Sequence, residues 1–328
     1  MHEPANGLVY AICYPILAAV GIPGNIMAIV ILSRGKCGLS KCITCYLVAM
    51  AVADLLVVLT SVLLNRIIAV YFPAGFLSIT PVCALKSVLV YAAKDSSVWL
   101  TVAFTFDRYV AICCQKLKNK YCTERMAGGV VGTVFALSSL RNIPWYFALE
   151  PLYFINNVPW YCNFKFSFYK TPPWIAFSYL THILTPFVPL ILILLLNAIT
   201  VRFILVTSRV RKALRGKNCV EGGSDPEMEN RRKSIILLLT ISGSFVLLWM
   251  TFTVHYLYFR ITNSYTYTGN NDPLYVLQEA GYLLLLLSCC TNTCIYAVIQ
   301  TKFREEFKHS VKYPFTLMSK LVNGNILF

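Results

Sequence analysis

The sequence predicts an all-α membrane protein: a bundle of seven transmembrane helices with its N-terminus outside and a short amphipathic helix after the seventh span. Three observations predict it. Of 328 residues, 57% are hydrophobic and only 13% charged, and the mean hydropathy is +0.64, so there is too little charge to coat a soluble globule of this size. The charges cluster between long uncharged runs. The lysines and arginines also fall mostly on one set of connecting segments. Cytosolic enzyme, nuclease and disordered-chain readings are thereby excluded. The +15 net charge is no nucleic-acid footprint, because the basic residues sit in short segments between apolar runs.

A hydrocarbon core of about 30 Å takes about 20 apolar residues as a helix. The first such run, Leu8 to Leu32, has no charge, and the second, Cys42 to Asn65, holds only Asp54. The third, Val82 to Cys113, carries Lys86, Lys94, Asp95, Asp107 and Arg108, and the fourth, Met126 to Leu149, is interrupted by Arg141. Trp174 to Val201 and Ser234 to Phe259 are uncharged, and Pro273 to Thr301 holds Glu279 alone. None alternates apolar with polar as a barrel strand does, so each is a helix. The expected division is a short extracellular N-terminus over 1–7, a membrane domain over 8–301, and an amphipathic helix with a short tail over 302–328. No cleavable signal peptide is expected, since the residues before Leu8 include no Lys or Arg.

Positive charge sets the orientation. Lys36 and Lys41, Lys116 to Arg125, Arg202 to Lys233 and the tail lysines all lie on one side, which is therefore cytoplasmic. Residues 209–233 mix Gly and Pro with charge and read as a mobile inner loop. Most of the 13 cysteines lie inside apolar runs and act as small hydrophobes, leaving one or two pairs at most for a disulfide.

Several short motifs stand in order in separate segments: Gly24-Asn25; Leu47 with Ala53-Asp54-Leu55; Asp107-Arg108-Tyr109; Pro189; Phe245 with Trp249; Asn292-Thr293-Cys294-Ile295-Tyr296; and Phe303-Arg304-Glu305-Glu306-Phe307. With these, nearly the whole chain resembles rhodopsin-like (class A) G-protein-coupled receptors, and its character is similar to the peptide-receptor branch, orphan members included. The resemblance implies a plasma-membrane receptor that is not an enzyme. Its expected partners are an extracellular ligand, a heterotrimeric G-protein and the bilayer. Asp107, Arg108, Tyr109, Asn292 and Tyr296 would serve G-protein coupling, with Arg108 held by Asp107 until activation frees it. Arg231 stands where many relatives place an acid that latches this arginine, so that latch should be absent.

Asp54 is a carboxylate in mid-span and a functional candidate by its cost alone. The resemblance implies no cofactor beyond an allosteric sodium ion, with Asp54, Ser97, Ser288 and Asn292 as its oxygen donors. It also implies a Cys83–Cys162 disulfide; pairing through Cys13 competes with it. The chain departs from the family pattern at Thr251 and Thr293, where prolines are usual, at Asn197 in place of a tyrosine, and in lacking a tryptophan in mid-fourth helix.

For the ligand, Val90 replaces the aspartate of amine receptors, and the seventh span has no lysine to bind retinal. The candidate pocket residues are Lys94, Val90, His182, Trp249, His255 and Glu279. Lys94 and Asp95 point about 100° apart on one helix. Asp95 is expected to turn to Arg141 and His182, leaving Lys94 either facing a ligand anion or neutralised by its neighbours. The aromatic-rich loop from Tyr146 to Tyr169 reads as a membrane-interface belt or a lid. A peptide or a small acidic or aromatic molecule fits such a site. The alternative function is a polytopic transporter or channel using the Asp54, Lys94 and Asp95 charges as an ion path.

Overall fold

A computed structural model describes residues 9–73, 75–215, 226–262 and 272–310. Seven long helices form the bundle. They are α1 (Tyr14–Ser33), α2 (Lys41–Val57), α3 (Thr80–Cys113), α4 (Glu124–Asn142), α5 (Val188–Arg215), α6 (Pro226–Thr262) and α7 (Pro273–Ile299). A helix α8 over residues 301–310 follows. By length and apolarity alone, α1, α2, α5, α6 and α7 qualify as membrane spans. Charges in α3 and the Gly/Ser content of α4 dilute their apolarity, and their place in the bundle makes them spans. The expected N-terminal segment 1–7, residues 216–225 of the inner loop, the Arg231 side chain and the tail beyond 310 lie outside the described residues; the remainder of the loop expected over 209–233 is helical, because the fifth and sixth helices continue past the membrane as far as Arg215 and from Pro226.

Helix ends follow local chemistry. Ser40 and Thr123 cap α2 and α4 by accepting from the backbone N–H groups of Ile43 and Met126, and Asp272 caps α7 through Leu274. The fourth span is shorter than the expected Met126 to Leu149. Pro144 cannot continue the α4 hydrogen-bond ladder, so α4 stops at Asn142 and a separate turn, Pro144–Phe147, follows. The fifth span starts earlier, in a helix over Pro172–His182, and is interrupted at Ile183–Phe187, where Thr185 takes the non-helical angles φ −151°, ψ 103° ahead of Pro186. The seventh ends at Ile299, with Gln300 extended before α8.

Between α4 and α5 the aromatic loop folds into two small antiparallel ribbons. β1 (Leu149–Glu150) pairs with β4 (Asn163–Phe164), and β2 (Tyr153–Ile155) pairs with β3 (Val158–Trp160) across the Asn156-Asn157 turn. Both asparagines have positive φ, the conformation that a tight hairpin turn demands. Trp145 is buried between Tyr91 of α3 and the rings of Phe164, Phe168 and Phe177, so part of the expected belt is a small extracellular core. Tyr153, Phe154 and Phe166 remain exposed. The disulfide joins Cys83 at the outer end of α3 to Cys162 of this loop, and Cys13 is free.

Two apolar cores stack along the bundle. The inner one gathers Ile31, Leu47, Phe104, Leu237, Tyr296 and Phe303, and the outer one Tyr14, Val58, Val98, Phe245, Trp249 and Leu286. Neither Thr251 nor Thr293 interrupts its helix, and α6 runs unbroken over 37 residues beside α7. Gly281 permits that closeness: a Cβ there would lie 2.9 Å from the backbone N and Cα of Phe252. Gly281→Val should therefore force α6 and α7 apart and lower the thermal midpoint of the solubilised protein, at about 1–3 kcal/mol for overpacking. Gly129→Ala, with no atom within 4 Å of the added carbon, should leave the midpoint unchanged. Equal midpoints for Gly281→Val and wild type would refute the contact.

Candidate functional site

Polar side chains are distributed along α3 in three centres, one for each level of the bundle. At the outer level, Lys94 is 7% exposed and donates from Nζ to the Tyr282 hydroxyl of α7 at 2.8 Å. Arg66, at the end of the second span, lies over the Tyr14 and Tyr282 rings at 5.5 and 5.1 Å. It also pairs with Glu279 at 3.6 Å, and the Tyr14 hydroxyl donates to the same carboxylate at 3.2 Å. Glu279 therefore ties α1, the outer end of the second span and α7 together. Val90 is buried one turn above Lys94, which gives that wall an apolar surface.

One residue on, Asp95 turns away. It is in contact with the Arg141 guanidinium and the Asn142 amide, and it accepts from Thr185 Oγ1 at 2.7 Å. Arg141 in turn donates to Thr185 Oγ1 at 2.9 Å. The expected Asp95–Arg141 pair is present, but His182 is not a hydrogen-bonding partner of Asp95. Its ring stacks on Tyr256 at 4.2 Å, with Nδ1 2.6 Å from the Ser178 carbonyl oxygen. The break in the fifth span explains the exchange, because non-helical Thr185 brings its hydroxyl to the carboxylate while His182 remains in the preceding helix. The adjacent residues thus have opposite fates, Asp95 inside an ion pair and Lys94 outside one.

At the middle level Asp54 is 1% exposed and accepts from Ser97 Oγ at 2.6 Å and Asn292 Nδ2 at 2.7 Å. A small cavity beside it is lined also by Thr101, Ser244, Phe245 and Ser288. Ser288 Oγ accepts from Trp249 Nε1 at 3.1 Å, so the tryptophan at the floor of the outer half is fastened to the wall of this cavity. His255 is buried one and a half turns further out on α6. A carboxylate, four hydroxyls and an amide around a small void are a donor set that fits a hard monovalent cation.

At the inner level Asp107 and Arg108 form a buried ion pair, with Arg108 Nε donating to Asp107 Oδ2 at 3.0 Å. The Cys42 thiol donates to the other carboxylate oxygen at 3.3 Å. Tyr109 is half-buried, with its ring 6.3 Å from Phe106. Tyr296 is 1% exposed and stands edge-on to Phe303 of α8, its hydroxyl without a hydrogen-bond partner among the described residues. Asn197 donates to Ser242 Oγ at 2.7 Å, joining α5 to α6 where the family's tyrosine is replaced.

Sequence reasoning missed Arg66, Asn142, Thr185, Tyr282 and Cys42. For Thr185 a signal existed, since the residue before a proline is driven out of helical geometry. Arg66 reads as an outer-loop charge until α7 is packed against it.

Residues 24–296 match the sequence pattern of the 7 transmembrane receptor (rhodopsin family). The chain is 25% identical to the sheep (Ovis aries) thyrotropin-releasing hormone receptor, covering 89% of this chain and 75% of that receptor. It is 23% identical to the Macaca fascicularis C-C chemokine receptor type 1, over 89% and 76%. It is 22% identical to the human galanin receptor type 2, over 92% and 73%. These relatives give no support to the transporter or channel alternative, and Asp95, one of its three supposed path charges, is held in an ion pair. They are receptors and not enzymes, which carries the same statement, and a multi-pass plasma-membrane location, to this protein. The chain belongs to the rhodopsin family of seven-transmembrane receptors.

Proposed function

We propose that this receptor is switched by an extracellular ligand with an acidic group that meets Lys94, and that it signals through a heterotrimeric G-protein engaged at Arg108. The observation that carries the ligand reading is the uneven treatment of two neighbouring buried charges: Asp95 has its counter-ion in Arg141, while Lys94, among the described residues, meets the hydroxyl and ring of Tyr282 and no carboxylate. An ammonium group in such a site gains most from an anion brought by a ligand. Val90, Trp249, His255 and the Glu279 to Arg66 pair supply the apolar and polar walls around it. The similar receptors are named for thyrotropin-releasing hormone, a C-C chemokine and galanin, which supports a peptide with an acidic group as readily as a small acid.

Signal transfer needs two packings whose populations the ligand shifts. The path from Trp249 through Ser288 to the Asp54 cluster and on to Asn292 and Tyr296 joins the two ends of the bundle. Sodium held by Asp54, Ser97, Ser288 and Asn292 would favour the packing in which that cavity is intact. Arg108 leaves Asp107 when the inner ends separate, and Tyr296 gains a partner for its hydroxyl. Asp107, Tyr109 and Asn292 shape this inner face.

Arg108→Ala should abolish nucleotide exchange on the G-protein at matched surface expression; undiminished exchange would remove Arg108 from the coupling site. Lys94→Met keeps the stem and deletes the charge, so it should weaken an acidic agonist at least tenfold, about 1.4 kcal/mol. A neutral ester of that agonist should be as weak on the wild type and little weaker on the variant. Equal potency of acid and ester on the wild-type receptor would show Lys94 to be internal to the protein. Asp54→Asn should erase any effect of sodium on agonist affinity at constant ionic strength, and a sodium effect that persists would exclude this site.

A further inference from the structure

Among the described residues, the outer half of the bundle contains a second buried cation without an acid. On the side of α3 that faces α2 and α7, Arg66 is matched by Glu279. Lys86 and Lys94 are 9% and 7% exposed, and neither has a carboxylate within 4 Å among the described residues. Asp95 is committed to Arg141 on another face of the helix. Two ammonium groups are thus more than nine-tenths buried with no counter-ion among the described residues, an arrangement whose lost hydration goes unmatched unless something else supplies the charge.

Helix geometry says where they point. Lys86, Val90 and Lys94 follow at four-residue steps and form one stripe. Lys94 is directed at Tyr282 of α7. At 100° per residue, Lys86 lies about 80° away from it, on the side of Ser97, whose hydroxyl reaches Asp54 of α2. Eight residues separate the two lysines by about 12 Å along the axis. Helical side chains lean toward the N-terminus, which for α3 is the outer end, so both ammonium groups are carried outward, and the 80° between them adds a lateral offset to the axial rise. One small anion cannot satisfy both.

We infer that this receptor takes a ligand with two acidic groups at least about 12 Å apart, the inner one at Lys94 and the outer one at Lys86, one turn inside the Cys83–Cys162 bridge. The inference rests on the reading of Lys94 given above and adds the second anchor and the spacing. A ligand with a single acid would leave Lys86 unmatched, whereas an extended diacid, or a peptide with acidic groups at that spacing, neutralises both with charge-assisted hydrogen bonds. Val90 between them asks for an apolar spacer.

The probe is dodecanedioic acid, whose extended chain has about the required span, against its monomethyl ester and the short diacid glutaric acid. Full-length receptor in nanodiscs is followed by thermal midpoint, and nucleotide exchange is read separately. The long diacid should half-saturate the shift at a concentration at least tenfold below that for either control. Lys86→Met should bring the diacid to the level of the monoester and leave the monoester unchanged, while Lys94→Met weakens both. Without any probe, Lys86→Met should raise the midpoint, since it deletes an uncompensated charge; a lysine with a structural partner would lower it. Equal half-saturation by diacid and monoester on the wild type, or a lower midpoint for unliganded Lys86→Met, overturns the two-anchor site. Stabilisation by the diacid with no change in nucleotide exchange keeps the site and removes the agonist reading.

Discussion

An ionised carboxylate cannot be left alone in hydrocarbon, and the packing of α3, α4 and the fifth span follows from how Asp95 avoids that state. Arg141, Asn142 and Thr185 converge on it from two neighbouring segments. Arg141 and Asn142 are adjacent at the last turn of α4, so both reach the same carboxylate only if that helix ends where it does, ahead of Pro144. Thr185 reaches it only because the fifth span is broken ahead of Pro186. Removing any one partner would leave the buried acid or the buried guanidinium underserved, a loss far larger than that of an exposed ion pair. The knot therefore locks the back of the bundle and leaves the opposite face of α3 for Lys94 and Lys86.

That division sets a side of α3 tied by an ion-paired knot against a side tied by single hydrogen bonds between helices, through Tyr282, Trp249, Ser288 and Asp54. Trp249 is thereby fastened to the wall of the Asp54 cavity. At the cytoplasmic end Arg108 is held by a residue of its own helix, with the Cys42 thiol as the contact from α2. An ion pair within one helix does not clamp two helices together, so the inner ends are kept together by apolar packing and by Asn197 to Ser242.

The continuity of α6 and α7 has a local origin. Threonine at 251 and 293 preserves the backbone ladder where proline would bend it, and the two helices instead approach closely through Gly281. Movement of α6 in such a bundle is better described as a rigid displacement against α7 than as a change of bend. Departures from regular α-helix are found elsewhere, as π-helix in the second span at Val58–Ile67 and as a kink in the fifth at Ile183–Phe187.

Local sequence by itself determined the helical class, the order of the spans and their orientation, because apolar length and the distribution of lysine and arginine act through the bilayer and not through partners. It also determined the inner motif Asp107-Arg108, whose residues are neighbours in the chain, and it singled out Asp54 and Lys94 by their cost in hydrocarbon. The opposite fates of Lys94 and Asp95 were only half legible: their 100° separation follows from helix geometry, but which partner each would find depended on other helices. Arg66 with Glu279, Tyr282 with Lys94, and Thr185 in the place expected for His182 were decided by tertiary structure alone. These pairs are up to 213 residues apart in the case of Arg66 and Glu279, and no local rule of period or spacing links them. A buried charge specifies that a partner must exist; only the packed bundle specifies which residue it is.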